Sequence, residues 1–242
     1  MARQETAGTI INRCAMEMGL NQSTDPYSTT DEAFVQLTAL LNTAGQELVE
    51  YYEWQALRKV KEFTTTALDT GIYDLPDDFS YMINQSQWDE TNGVPAGGPV
   101  SAQYWAYLSG SKTSGNSIYA SFRLTDNKLY LWPQPPPVGI DIRYEYIGRN
   151  WATNEEGTGL DWTTASEDIV LLPPLMMRKF LKAKFLEAKG FPADGARLDF
   201  ENTFNAIAGK DQASPILNAG GGGGGGIRLL TPSNVGDTGF GV

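Results

Sequence analysis

Apolar residues recur at helical spacing at both ends of this chain and not in its middle, and that arrangement restricts its fold more than any other feature. Near the start, Ile10, Ile11, Cys14, Ala15 and Met18 fall on one face of a helix expected from Glu5 to Leu20, with Gly19 as its terminator. Thr29-Thr30-Asp31-Glu32 then reads as a capping box. It opens a second helix on Phe34, Leu37, Leu41, Ala44, Leu48 and Tyr52, running to Trp54 or Leu57. Gly45 weakens the middle of that helix by about 1 kcal/mol relative to alanine, so packing must hold it. Helical spacing returns late. Pro173-Pro174 pre-sets a start, and Leu175, Met176, Lys179, Phe180, Ala183, Leu186 and Ala188 carry a helix to Lys189-Gly190. A last helix, Asp194 to Lys210, has Leu198, Phe200, Phe204, Ile207 and Ala208 as its apolar set.

From Lys59 the pattern changes to short β-rich pieces: Val60 to Thr66, Gly71 to Leu75, Tyr81 to Trp88, Ser117 to Leu124, Lys128 to Trp132 and Ile140 to Tyr146. Turn chemistry separates them, as at Asn92-Gly93, Gly97-Gly98-Pro99 and Pro135-Pro136-Pro137, and Thr125-Asp126-Asn127 marks a hairpin. Ser101 to Leu108 suits a short helix carrying Tyr104, Trp105 and Tyr107, and Arg149 to Asp168 reads as a loop. Helices that flank a β region on both sides pack most economically together, with the β domain hanging from them as an insertion. The expected class is α+β: helices of a bundle over 1–58, an inserted antiparallel β domain over 59–150, a loop and C-terminal bundle helices over 151–211, and a glycine-rich extended arm over 212–242. Seven consecutive glycines, Gly220 to Gly226, bury no apolar surface and carry the largest backbone ordering cost, so a partner must supply any order in that arm.

Composition disfavours an enzyme. The 41% apolar content supports a real core, but the absence of histidine removes the commonest general base and metal ligand and every Ser-His or Cys-His nucleophile pair. Cys14 is the only cysteine, which excludes an internal disulfide and a cysteine-rich zinc site, and no cofactor is expected. The start lacks the apolar run of a signal peptide, and no stretch approaches the length needed to cross a bilayer, so the sequence reads as intracellular in origin with no membrane partner. A formal charge of −11 argues against gripping nucleic acid through its phosphates and is compatible with lining a passage for it.

The glycine run is not a phosphate loop, because no Lys-Ser or Lys-Thr follows it. The acid pairs Asp77-Asp78, Asp89-Glu90, Glu155-Glu156 and Glu167-Asp168 resemble the acid and base of a glycosidase in residue type, with Trp88, Trp105 and Tyr107 nearby for sugar stacking. Adjacent carboxylates more often sit on solvated turns, and aromatics at strand positions more often build cores and interfaces. Lys179, Lys182, Lys184 and Lys189 form the one basic concentration, read as a solvated helix face.

The order of parts carries a family resemblance. A short helix is followed by a long one ending in Tyr51-Tyr52-Glu53-Trp54. A β domain then contains Tyr73-Asp74-Leu75-Pro76-Asp77-Asp78-Phe79, Trp88, Trp105, Leu129-Tyr130-Leu131-Trp132-Pro133-Gln134-Pro135 and Tyr144-Glu145-Tyr146-Ile147, and two helices follow. Over residues 5–210 this resembles the head-to-tail adaptor (connector) proteins of short-tailed bacteriophages, of the tail-tubular type. The resemblance implies a non-enzymatic ring of twelve copies, assembled in the host cytoplasm and located in the neck of the virion under the portal. It would prolong the DNA channel without binding DNA specifically and would receive the next tail or nozzle protein. It also implies an arm that clasps the portal, here through Ile216, Leu217, Gly220, Gly223, Gly226, Ile227, Arg228, Leu229, Leu230 and Phe240. The rival readings are a tail-associated carbohydrate-binding or hydrolysing module and a minor or decorating capsid protein.

Overall fold

In a computed structural model, residues 4–110 and 120–211 are described. The chain through Asp211 forms one compact unit, and the segment beyond it lies outside the described residues. The fold is α+β, with five helices and antiparallel sheets among the described residues.

Strand β1 (Glu5–Thr6) leads directly into α1 (Ala7–Glu17), where Thr6 Oγ1 accepts from the Thr9 amide. Ile10, Ile11, Cys14 and Ala15 are fully buried, and the chain leaves the helix through Gly19 at φ +77°. Helix α2 (Glu32–Tyr51) is capped by Asp31, whose side chain accepts from the Ala33 amide at 2.9 Å. It ends before Trp54, earlier than its apolar spacing suggests, because Tyr52 is extended and the Trp54 indole folds back. Trp54 Nε1 donates to the Leu48 carbonyl at 2.7 Å, satisfying a group left open by the helix end.

The β region starts with β2 (Arg58–Thr64), which pairs antiparallel with β9 (Asp141–Gly148) along its whole length. The other edge of β9 takes β4 (Phe79–Met82) and β5 (Trp88–Asp89), and β6 (Val94–Pro95) closes on β5. Sequence pattern suggests one strand from Tyr81 to Trp88. The structure divides it, because Gln85 at φ +62° turns the chain between β4 and β5. A second sheet has the order β3 (Ile72–Asp74), β8 (Lys128–Trp132), β7 (Ser121–Thr125). Asp126 and Asn127, both at positive φ, make the tight turn of the β7–β8 hairpin expected from sequence. The two sheets enclose a core of Phe122, Leu129, Leu131, Ile142, Tyr144 and Tyr146. The short helix is α3 (Ala102–Gly110).

The stretch expected to be a loop from Arg149 to Asp168 is built differently. It contributes β10 (Ala152–Thr153) and β11 (Gly159–Leu160), and with β12 (Ile169–Val170) these form a third sheet that captures β1 at its edge. Two-residue strands carry no alternation to read, which is why the pattern concealed them. Helices α4 (Pro174–Ala188) and α5 (Asp194–Asp211) follow close to their expected bounds. Helix α4 packs against α1, α2 and α5. These helices share a second core with Trp54, Leu57, Ile147, Trp151, Val170 and Leu172, drawn from the connecting strands and turns.

Candidate functional site

One aspartate from each of three acid pairs holds local structure. Asp89 is buried and accepts from the Asn92 amide and Nδ2 at 2.9 and 2.8 Å, and Asp168 accepts from the Thr164 and Ala165 amides at 2.7 and 2.9 Å. Asp78 bridges Lys59 Nζ at 2.6 Å and the Tyr146 hydroxyl at 3.0 Å. Burial pushes its carboxyl up, but those two hydrogen bonds, the Lys59 charge and a backbone hydrogen bond together hold it below the ordinary carboxylate range. Glu90 lies 3.7 Å from Arg143, and Glu155 and Glu156 are exposed in the turn between β10 and β11. Trp88 is a β5 residue opposite Arg143, whereas Trp105 packs edge-on against Tyr130 and Trp132 on the other sheet. Asp78, Asp89, Glu90 and Asp168 are each committed to a turn or an ion pair, while Glu155 and Glu167 line one open cleft of about 750 Å³ with Thr9, Asn12 and Arg13, and no tryptophan or tyrosine among the described residues lines it for a sugar to stack on. Among the described residues no group of three or more acids and cysteines is placed to hold a metal, and no helix is long and apolar enough to cross a membrane.

The lysines of α4 are not simply a solvated face. Lys182 reaches Glu17 of α1 at 3.7 Å, Lys184 reaches Glu47 of α2 at 2.7 Å and Lys179 reaches Asp199 of α5 at 3.5 Å. Their heads tie α4 to each helix around it, and Lys189 lies over the Phe185 ring at 5.5 Å.

Two apolar features stand out on an otherwise acidic surface. On α3, Leu108 is the one buried residue, while Tyr104 and Tyr107 are 48% and 67% exposed and lie against each other at 6.1 Å. A groove of about 650 Å³ opens between α2, α4 and α5. Its floor is Phe180 stacked on Phe200 at 4.2 Å, with Phe204 beside them and the exposed Tyr51 ring at its lip. Sequence spacing identified these phenylalanines only as core positions, since a groove needs the packing of three helices to appear. The arm positions from Ile216 to Phe240 lie outside the described residues.

Such surfaces suit assembly with other proteins. The family model described as SU10 adaptor protein matches residues 5–220 of the chain. No curated protein matches it.

Proposed function

The chain belongs to the SU10 adaptor protein family, and on that premise we propose that it joins head to tail in a bacteriophage virion, as a ring seated beneath the portal. The observation that carries this reading is the span of the family match, because residues 5–220 take in both helical ends and the whole β region. The proposed ring has twelve copies, the N- and C-terminal helices of each copy form one bundle, and the ring prolongs the DNA channel while offering its far side to the next tail protein. A charge of −11 per chain supports a conduit, since carboxylates facing the lumen repel phosphates over about 8–10 Å at physiological salt and keep DNA from adhering. The role is structural, and no catalytic step is assigned to any residue.

The arm fits the same role. From Ser214 to Val242 it spans at most roughly 100 Å extended and about 30 Å as a flexible coil, so it acts by capture onto a neighbouring surface. Ile227, Leu229 and Leu230 are the proposed apolar anchors on the portal, with Arg228 pairing a carboxylate there. Co-sedimentation tests the proposal: the purified chain should pellet with capsids that carry a portal and stay in solution with capsids that lack one. Equal binding to both would favour a capsid-surface protein instead.

A further inference from the structure

We propose that neighbouring copies of this chain join by a knob and a groove, the Tyr104–Tyr107 pair of α3 on one copy entering the α2–α4–α5 groove of the next. This inference rests on the ring reading above and names the surfaces that would make it.

Helix α3 is a poor element if left to solvent. It is nine residues long, buries only Leu108 fully, and sets two large rings outward where a surface helix normally carries charge. No charged residue occurs from Thr91 to Gly110, in a chain where charged residues make up 19%. The groove is concave and aromatic. Four of its five rim charges are paired among themselves, Glu47 with Lys184 at 2.7 Å and Glu187 with Arg197, which leaves the exposed Glu201 as its net charge.

Electrostatics selects a second copy as the occupant. Two chains of −11 repel wherever their acidic surfaces meet, so association is least costly where both faces are neutral. The knob is neutral by composition, and internal pairing leaves the groove with the single charge of Glu201, which a neutral knob meets without repulsion. The sizes also agree: two tyrosine side chains occupy less than the groove's 650 Å³, and their rings would lie against Phe180, Phe200 and Phe204 in the tilted and edge-on geometries that aromatic rings prefer.

Because the two surfaces differ, the contact is head-to-tail, and each chain can use both at once, as a closed ring demands. Two tyrosines bury roughly 300–500 Å², short of the ~800 Å² per partner of a stable pair. One contact alone is therefore weak. Ring closure gives every chain two.

The test uses the full chain and sedimentation velocity over a range of concentrations. The wild type should assemble and stay assembled in about 1 M salt, where charge attraction is screened within about 3 Å. The double variant Tyr104→Ser with Tyr107→Ser removes the knob, and Asn205→Trp fills the groove from an exposed lining position. Each should weaken association roughly tenfold or more with an unchanged melting curve. Mixed at the top of the concentration range, where one weak contact can still be populated, the two variants should form a dimer and nothing larger, because one intact knob then meets one intact groove. A wild type that never assembles would remove the ring reading and this inference with it. Assembly of both variants like the wild type, or two silent variants whose mixture does not pair, would overturn the knob and groove while leaving the ring in place.

Discussion

Gly45 shows how one residue can be dictated by another more than a hundred positions away. A Cβ on Gly45 would lie 2.2 Å from Cε2 of Trp151, so the α2 backbone itself forms the seat of that fully buried indole. The glycine that weakens the helix locally is the condition for packing it. Gly45→Ala gains about 1 kcal/mol of helix propensity and loses more through overpacking, which costs about 1–3 kcal/mol in a typical core and more at this separation. We expect Tm to fall by roughly 4–8 °C, with a shift in tryptophan emission. A higher Tm would show that Trp151 is not seated there. Buried and half-buried phenols give a second test at the same scale. Burial pushes Tyr27, Tyr81 and Tyr144 up to about 12, against about 10 in the unfolded chain. The protonated form is favoured in the fold, so this stability is complete below pH ~10 and is lost as pH rises from ~10 to ~12. In an alkaline titration followed by tyrosinate absorbance, these rings should ionise late and together with unfolding. Smooth ionisation of all eleven tyrosines near pH 10 would contradict their burial.

Elements with strong periodicity were legible in the sequence, and elements made by tertiary contact were not. Whereas the capping box read at Thr29 to Glu32 gives way to a cap by Asp31, the apolar faces of α1, α2, α4 and α5 announce themselves, as do the Pro173-Pro174 start of α4 and the Asp126-Asn127 hairpin. The 149–168 segment does not, because its order comes from partners elsewhere in the chain. Its main fastening is Asn42, buried in α2. Asn42 Oδ1 accepts from the Thr163 amide at 2.7 Å and from the Thr163 hydroxyl at 2.9 Å, while its Nδ2 donates to the Thr163 and Thr38 carbonyls at 3.2 Å. An asparagine amid a helical apolar pattern was the available signal for such a clasp. The candidate surfaces divide in the same way: Tyr104 and Tyr107 stand out as aromatics in a short helix, whereas the groove exists only once α5 lies on α4. Asn42→Leu leaves the Thr163 amide buried without an acceptor and should cost about 2–3 kcal/mol in a denaturant melt. Hydrogen exchange should rise over β10 to β12 ahead of the rest of the fold. Uniform exchange throughout would mean that the clasp does not hold the third sheet separately.

At the scale of the molecule, the compact unit ends at Asp211, and the glycine run lies beyond it. A segment with seven glycines contributes little to the core, so deleting 213–242 should move Tm by no more than about 2 °C while abolishing stable attachment to portal-bearing capsids. Attachment as tight as that of the full chain would overturn the docking role proposed for the arm. The same protein should show no appreciable affinity for free double-stranded DNA at ~0.15 M salt, as its charge requires. The central claim is the place of this chain between head and tail, and the most direct measurement is a cryo-electron-microscopy reconstruction of the virion neck into which this fold is fitted. Copies of the chain should form a ring on the portal axis, around an open channel. Density for the fold on the capsid faces or on peripheral tail fibres, with none on the axis, would contradict it.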